Sequence, residues 1–522
     1  MDFHVYDTTM RDGAQQEGLN LSIQDKMLIA KHLDELGVNY IEGGWPGSNP
    51  KDTEFFALAA KELDLKNAAM VAFGATRRPD TAAENDPLTV ALVEAATPVV
   101  TIVAKSHDRH VELALKTTLD ENLAMIQDTV RFLIGEGKRV FVDLEHFFDG
   151  YRANSGYALD AVRAAHEAGA EVAVLCDTNG GMLPDWVSEI VADAATTGAR
   201  LGIHAHNDTG CAVANSMAAV KAGATHFQGC INGYGERTGN ADLITVVANL
   251  ELKLGMKLLP EGSLAKATHI SHAISEITNY PPHARQPYTG LSAFAHKAGL
   301  HASAIRVDPD LYQHTDPALV GNDMRLLVSE MAGRASVELK GRELGFEVSG
   351  DVLSRVTDRV KELEQAGYTF EAADASFALL LAEGVDGARP NYFDIESWRV
   401  IAESGPNSNE ALAEATVKLT AGNERHVLTG EGNGPVNALD HAFRQAIELT
   451  YPEVARFHLT DYRVRILDQG RGTDAITRVL IETSDGRDTW VTVGVGPNII
   501  DASWHALVDA VTYGLWQHHK RK

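Results

Sequence analysis

The sequence predicts a (β/α)8 barrel (a TIM barrel), followed by a mainly helical region and a small α+β domain. Over the first 230 residues, short β-rich runs alternate with amphipathic segments at a mean spacing of about thirty residues. A doubly wound open sheet is the main alternative, but eight repeats without a dinucleotide-binding fingerprint favour a closed barrel. The eight runs are FHVYD (3–7), NYIEGG (39–44), AAMVAF (68–73), PVVTIVA (98–104), RVFVDLE (139–145), EVAVLCD (171–177), RLGIHAH (200–206) and THFQGCI (225–231).

Breaks in the helical periodicity predict where the domains of the chain begin and end. IQDKMLIAKHLDELG (23–37) keeps apolar residues at i, i+3 and i+4 and ends in a glycine, as a helix commonly does. The alternation stops near residue 260, and ITNYPPHARQPYTG (277–290) is too rich in proline and glycine to continue a helix. Helical segments follow over roughly 321–390, and then short strands. We therefore expect a barrel over 1–270, helical linker subdomains over 271–390 and a separate domain over 391–522.

The last 120 residues contain an internal repeat. VLTGEGNGPVNALDHAFRQAI (427–447) and VTVGVGPNIIDASWHALVDAV (491–511) each read as a strand, a Gly-x-Gly turn, a proline and an amphipathic helix. With further strands at 413–420, 460–469 and 475–484, the pattern predicts two strand–strand–helix units. The Gly-x-Gly run is more typical of a tight turn than of a phosphate loop. A small pseudo-symmetric domain of this kind suggests ligand sensing or dimerisation.

Charge and cysteine usage narrow the class of function. The chain has 46 Lys+Arg against 72 Asp+Glu, a net charge of −26, which argues against nucleic-acid and anionic-membrane partners. An anionic substrate then needs a local cation, such as an arginine or a metal. Cys176, Cys211 and Cys230 have no motif spacing and are expected to be reduced thiols. No targeting or membrane-spanning pattern is present, so we expect a cytoplasmic protein.

Polar residues follow nearly every predicted barrel strand, on the face where barrel enzymes carry their chemistry. His204 and His206 stand at i and i+2 of strand seven, so both imidazoles face one point. A histidine pair of this spacing is often only structural, but here acidic residues surround it. Strands seven, eight and one are neighbours in a closed barrel, so Asp12 and Asn240 can reach the same point. The pattern predicts a mixed nitrogen and oxygen site for a divalent cation.

Three further residues, Arg11, Glu145 and Thr178, are candidates for binding an anionic substrate. Arg11 beside a metal-binding carboxylate suits a reaction that builds negative charge on an oxygen. The alternative for Arg11 is a structural salt bridge to Asp7 or Glu145. Glu145 and Thr178 are candidates for orienting substrate or water, with a supporting hydrogen bond and a helix N-cap as the respective alternatives.

Four motifs in order resemble one family. DTTMRDGAQQEG (7–18), HAHND (204–208), GYGERTGN (233–240) and AFAHKAGLHASA (293–304) look like the acyl-CoA-dependent Claisen-condensing synthases of the barrel metallo-lyase superfamily. This group contains the isopropylmalate, homocitrate and citramalate synthases, and the likeness extends over the whole chain. Their C-terminal domain binds an end-product amino acid at a dimer interface, so the resemblance implies a regulated homodimer.

The resemblance also implies roles for individual residues. The metal falls on Asp12, His204 and His206 with Asn240 close by, Arg11 steadies the keto-acid oxygen, and Glu145 and Thr178 line the keto-acid pocket. Glu236 orients a catalytic histidine from the linker, which here is His301, with Tyr312 nearby; a purely structural histidine is the alternative. The implied reaction condenses acetyl-CoA with a 2-oxo acid and then hydrolyses the thioester, with His301 as base because histidine titrates near neutral pH.

Two departures from the isopropylmalate pattern suggest the 2-oxo acid. EGGWPGSNPKD (42–52) and the ASA run after His301 resemble one branch of the citramalate synthases, which use pyruvate and supply isoleucine biosynthesis. Trp45 at the pocket rim fits a small substrate, although core packing is an equally good use of it. The expected effector is isoleucine, and Mg, Mn and Zn all stay open. The alternatives are another 2-oxo acid, a related C–C lyase, or a catalytically inactive amino-acid sensor.

Overall fold

The computed structural model describes residues 3–280, 283–296, 299–305, 307–326, 334–370, 373–403, 412–467 and 476–521. They form two compact units. The first contains the chain up to Phe294 together with Thr315–Asp323. The second contains Ala295–His314 and the chain from Met324 onward. Among the helices described, none has the length and apolar character needed to cross a membrane.

The first unit is a closed barrel of eight parallel strands in sequential order, which confirms the predicted fold class. Barrel closure is made by β8 on β1, with Asp7 opposite Gly229. Each predicted strand is found to within one or two residues of its expected ends. The strands are β1 (His4–Asp7), β2 (Tyr40–Gly44), β3 (Ala69–Ala75), β4 (Val99–Lys105), β5 (Arg139–Glu145), β6 (Val172–Asp177), β7 (Leu201–Ala205) and β8 (His226–Gly229).

Helices surround the barrel, and local sequence signals explain their ends. The first helix begins after Ser22, which forms a reciprocal capping pair with Asp25, and it ends at Gly37 with φ 90°. The main core lies between this helical layer and the strands. The helices of this unit are α1 (Ile23–Leu36), α2 (Pro50–Glu62), α3 (Pro87–Glu94), α4 (Asp108–His110), α5 (Leu119–Gly135), α6 (Phe147–Ala153), α7 (Ser155–Ala168), α8 (Pro184–Ala194), α9 (Ala212–Lys221), α10 (Leu243–Leu252) and α11 (Ala267–Thr278).

The second unit begins with helices and two short strands and continues as a repeated α+β arrangement. The helical part has β9 (Ala295–His296), α12 (Gly299–Ile305), β10 (Arg325–Leu326), α13 (Arg334–Glu343), α14 (Gly350–Gln365) and α15 (Asp374–Asp386). The repeat then follows as β11 (Phe393–Glu403), β12 (Leu412–Ala421), β13 (Glu424–Gly432), α16 (Pro435–Glu448), β14 (His458–Ile466), β15 (Thr477–Ser484), β16 (Thr489–Gly496) and α17 (Ile499–Lys520).

The repeat differs from the expected one in two respects. Each copy has three antiparallel strands before its helix, not two, because β11 adds an outer strand to the first sheet. The Gly-x-Gly runs are also not turns: Gly430 and Gly432 lie within β13. A Cβ on Gly430 would stand 2.6 Å from the backbone nitrogen of Ala442 in α16. These glycines therefore allow a helix to lie directly against its sheet, which explains their spacing without a ligand.

Replacing Gly430 with alanine should destabilise the C-terminal unit. We expect the free energy of unfolding to fall by about 1–3 kcal/mol, because the added methyl meets backbone atoms that cannot rotate away. Urea denaturation followed by tryptophan fluorescence measures the effect. Gly434→Ala is the control, since a Cβ there has no atom within 4 Å. Equal losses for the two variants would contradict the close-packing explanation.

Candidate functional site

A cavity of about 280 Å³ opens at the carboxyl ends of the barrel strands. Its position is the one expected for the chemistry of a (β/α)8 enzyme. Most of the residues singled out from the sequence meet on its wall, although they come from segments that lie up to 225 positions apart in the chain. Those lining it are Arg11, Asp12, Glu145, Thr178, His204, His206 and Glu236.

Asp12, His204 and His206 form a compact group of potential metal ligands. One ligand atom from each lies within 4.8 Å of the others, and all three side chains are buried. Asp12 Oδ2 is 3.1 Å from His204 Nε2 and 3.6 Å from His206 Nε2. The Nδ2 group of Asn240 donates to the same Asp12 oxygen at 2.9 Å. The Oδ1 atom of Asn240 is buried and has no hydrogen-bond partner within the described part of the chain.

The electrostatics of this group favour the ligand forms of Asp12 and His206, whereas a cation would have to replace the proton that His204 shares with Asp12. Burial opposes ionisation of Asp12, but Arg11 and the two histidines hold its pKa well below the usual range. Burial, together with His204, lowers the pKa of His206 to about 4. Burial also opposes protonation of His204, but the hydrogen bond to Asp12 outweighs burial and raises the pKa of His204 above its usual value. A carboxylate and a neutral imidazole are the forms that bind cations. The donor set therefore fits a divalent ion.

Arg11 is held in place from three sides. Its Nε donates to Glu42 Oε2 at 2.5 Å, and its Nη1 donates to Asp12 Oδ1 at 3.0 Å. The guanidinium lies 3.8 Å from the centroid of the Phe73 ring. Arg11 therefore forms salt bridges with Asp12 and Glu42. The alternative interpretation from the sequence named Asp7 or Glu145 as its partner. Asp7 accepts instead from Thr9, and Glu145 pairs with Lys105.

Thr178 and Glu145 lie on the cavity wall with partners that orient them. Thr178 Oγ1 accepts from the backbone N–H of His146 at 2.8 Å. The following helix, α8, begins at Pro184 with Leu183 as its N-cap, so Thr178 is not a helix cap. Lys105 donates to Glu145, which links the ends of β4 and β5.

The loop after β8 carries Glu236 and a second arginine. Arg237 adopts φ 57° and bonds to both oxygens of Asp208, at 2.8 and 2.9 Å. Its Nη2 also lies 3.0 Å from His206 Nδ1, where it acts as the donor. Glu236 is half exposed, with Arg237 3.6 Å away. The arginine thus fixes the outer edge of the histidine pair, whereas the Glu236 carboxylate remains open to solvent.

His301 and Tyr312 belong to the second unit. His301 lies in α12, and its ring stacks on Tyr312 with 4.1 Å between centroids and 28° between planes. His296 is a further neighbour at 6.1 Å. The pairing expected from the resemblance, a linker histidine with a tyrosine nearby, is present within this unit.

Several residues that contribute to the cavity were not assigned roles from the sequence. Glu42 anchors Arg11, Phe73 lies under it, and Arg237 contacts His206. Gln228 contacts His204 from inside the barrel. Trp45, which the sequence did suggest for the pocket rim, lines the cavity and packs edge-on against Phe73 at 5.3 Å. Their positions along the chain are visible in the sequence, but which side chains contact one another across neighbouring strands is not.

The cysteines are free thiols, as expected. Cys176 and Cys230 are buried, which raises the pKa of both thiols well above the usual value. Cys176 lines the cavity wall, while Cys230 lies beside Thr8, 3.1 Å from its hydroxyl. Buried thiols of this kind are poor nucleophiles at neutral pH.

Comparisons with known proteins agree with this architecture. Three family models match in sequence order: HMGL-like over residues 2–274, homocitrate synthase post-HMGL domain-like over 288–367, and LeuA allosteric (dimerisation) domain over 371–515. A Streptomyces coelicolor protein named (R)-citramalate synthase is 64% identical over 98% of this chain and 96% of its own. Proteins of the same name from Synechocystis sp. and Aquifex aeolicus are 50% and 48% identical, each over 98% of this chain and over 96% and 97% of their own. The chain therefore belongs to the family of the (R)-citramalate synthases, built on an HMGL-like barrel.

Proposed function

We propose that this protein condenses acetyl-CoA with pyruvate to give (R)-citramalate and CoA. The observation that carries the proposal is the position of Arg11 beside the group of Asp12, His204 and His206 in one small cavity. A guanidinium next to potential cation ligands suits a 2-oxo acid, which presents a carboxylate and a keto oxygen together. The curated relatives that align over nearly the whole chain carry the name of this activity.

Asp12, His204 and His206 would hold a divalent cation, with Asn240 close by. Bound there, the ion would supply Lewis-acid polarisation of the keto group. Two imidazoles and a carboxylate are compatible with Mg, Mn or Zn. Asn240 would keep Asp12 in place through the contact described above. Because arginine only donates, the contact of Arg237 with Nδ1 leaves the hydrogen of a neutral His206 ring on Nε2, so this contact would change when Nε2 binds a cation.

Arg11 would bind the keto-acid oxygen and stabilise the negative charge that develops on it. Its contacts with Glu42 and Phe73 hold the guanidinium in a fixed orientation, which reduces the reorganisation needed during the reaction. Glu145 and Thr178 would line the keto-acid pocket. Trp45 and Phe73, which also line the cavity, would limit its width, as suits a substrate with only a methyl group.

His301 is the proposed base. It would remove a proton from the methyl group of acetyl-CoA, and the resulting enolate carbon would attack the ketone carbon to form the new C–C bond. The π electron pair of the ketone would move to its oxygen, and protonation of that oxygen would give the hydroxyl group of the product. Water would then cleave the thioester and release CoA. Tyr312 would position His301 through the observed ring stacking, and the open carboxylate of Glu236 would orient the imidazole in the assembled enzyme.

The C-terminal domain would regulate this reaction. The match to the LeuA allosteric (dimerisation) domain supports a homodimer, and we propose an amino-acid effector, isoleucine, as the end product of the pathway that citramalate feeds. We retain the division into a barrel over 1–270, a linker over 271–390 and a regulatory domain over 391–522. The cytoplasmic location stays a prediction from sequence composition.

A substrate panel tests the proposal. Release of CoA thiol from acetyl-CoA should be at least about 100-fold more efficient, in kcat/KM, with pyruvate than with 2-oxoisovalerate, because the larger acid must fit against Trp45 and Phe73. The 2-oxoglutarate reaction should be slower still. Faster release with 2-oxoisovalerate would instead identify an isopropylmalate synthase, the activity named for a 30%-identical Methanopyrus kandleri relative.

A further inference from the structure

Gln228 lies inside the barrel, next to the proposed ion-binding group. It belongs to β8, where the strand register pairs it with His204 of β7, so both side chains project to the same face. Gln228 is 1% exposed and His204 5% exposed. The Oε1 atom of Gln228 is 2.8 Å from His204 Nδ1. Because both side chains are almost fully buried, water competes little for this contact, and each group determines the other's hydrogen bonding.

The orientation of the Gln228 amide is determined by its other neighbours. Its Nε2 donates to Asp143 Oδ1 at 2.9 Å, and it lies 3.4 Å from His226 Nε2. Burial and the Glu42 charge raise the pKa of Asp143 to about 7, but a carboxyl keeps an accepting oxygen in either form, so the observed donation from the amide nitrogen does not depend on its ionisation. Burial lowers the pKa of His226 well below its usual value, so its ring is neutral and can accept the second N–H. The amide oxygen is therefore left to face His204.

This orientation sets the tautomer of His204. An amide oxygen can only accept, so His204 Nδ1 must carry a hydrogen. In this structure Nε2 shares its hydrogen with Asp12 Oδ2 and lies 3.3 Å from His206 Nε2, so Nε2 is the nitrogen whose lone pair would become available to a cation that replaced that hydrogen. Without the Gln228 contact, Asp12 would favour the opposite tautomer, because its carboxylate would accept a hydrogen from Nε2.

We propose that Gln228 is a positioning residue for the ion site: by accepting from His204 Nδ1 it directs the Nε2 lone pair toward Asp12 and His206. The inference rests on the proposed function of these three residues as metal ligands. It extends the site to a chain of contacts from Asp143 through Gln228 to His204. Outer hydrogen bonds of this type fix the orientation and basicity of a ligating histidine.

Binding of Mn²⁺ alone tests the proposal. The full-length protein, stripped of metal, is titrated with Mn²⁺ and the free ion is measured by electron paramagnetic resonance. Gln228→Met has a similar length but cannot accept from His204, and we expect it to bind Mn²⁺ about 10–100-fold more weakly than the unmodified chain. Gln228→Glu should restore the affinity to within about three-fold, because a protonated carboxyl accepts and donates at the same two positions.

Thr101→Val is the matched control. Thr101 is also fully buried in the barrel interior, but its hydroxyl contacts Tyr6, not a proposed ligand. Its Mn²⁺ affinity should equal that of the unmodified chain. Gln228→Leu replaces Gln228→Met if the latter does not fold.

The outcomes distinguish a failure of the positioning role of Gln228 from a failure of the ion site itself. Unchanged Mn²⁺ affinity in folded Gln228→Met overturns the positioning role, and so does an equal loss in the Met and Glu variants or in Thr101→Val. Each of these results leaves the metal site itself intact. An unmodified chain that binds no Mn²⁺ overturns both the ion site and the role of Gln228.

Discussion

Replacing His206 with alanine should reduce turnover of pyruvate and acetyl-CoA by about 1,000-fold or more. The side chain is one of the proposed cation ligands, 3.6 Å from Asp12 Oδ2, and an alanine leaves no donor atom there. Polarisation of a carbonyl by a metal is worth several kcal/mol, and about 4 kcal/mol corresponds to this change in rate. Thiol release at saturating substrate measures turnover, and Mn²⁺ titration of the same preparation measures the ion site.

The control for this prediction is His166→Ala. His166 lies on the exposed face of α7, so its loss should leave both measurements unchanged. Circular dichroism establishes whether the His206 variant keeps its fold. Substantial turnover in a folded His206→Ala protein would contradict the proposed metal chemistry.

Replacing Arg11 with methionine should damage stability and catalysis together. The substitution leaves the fully buried Glu42 carboxylate without its cation, which should lower the free energy of unfolding by about 3–5 kcal/mol. It also removes the group proposed to stabilise the developing oxyanion, so kcat/KM for pyruvate should fall by about 100–1,000-fold. Thermal denaturation and the thiol-release assay measure the two effects.

A second substitution separates these effects. Glu42→Gln added to Arg11→Met removes the buried charge, so the double variant should regain at least half of the lost stability, while its activity stays low. Glu42→Gln alone is the matched control for loss of the salt bridge. Recovery of activity in the double variant would show that Arg11 serves only as the structural partner of Glu42.

Much of the barrel was predictable because each strand and helix carries a local signal. The eight strands are buried runs at a regular spacing, and the first helix has both a capping pair and a terminal glycine. The repeat in the C-terminal region was recognised but undercounted. The strand Phe393–Glu403 is half polar and exposed, so its hydrophobic pattern is weak and only pairing with Leu412–Ala421 defines it.

The candidate site was predictable to a similar extent. The i, i+2 spacing of His204 and His206 and the fixed neighbour order of a closed barrel together brought Asp12 to the histidines. The alternative considered for Arg11, a structural salt bridge, named the wrong partners, because Asp7 and Glu145 are as plausible as Glu42 when only strand ends are known. The hydroxyl of Thr178 was similarly a possible helix cap until the start of α8 at Pro184 placed it elsewhere.

The sequence by itself determined the (β/α)8 architecture, the family and the set of polar residues at the strand ends, because periodicity and contiguous motifs are local properties of the chain. Only the tertiary structure decided how those residues pair. Glu42 under Arg11, Arg237 beside His206, and Gln228 between Asp143 and His204 are contacts between segments that lie far apart in sequence. Such contacts depend on strand register, side-chain direction and burial, which set both the hydrogen-bond partners and the charges of the site.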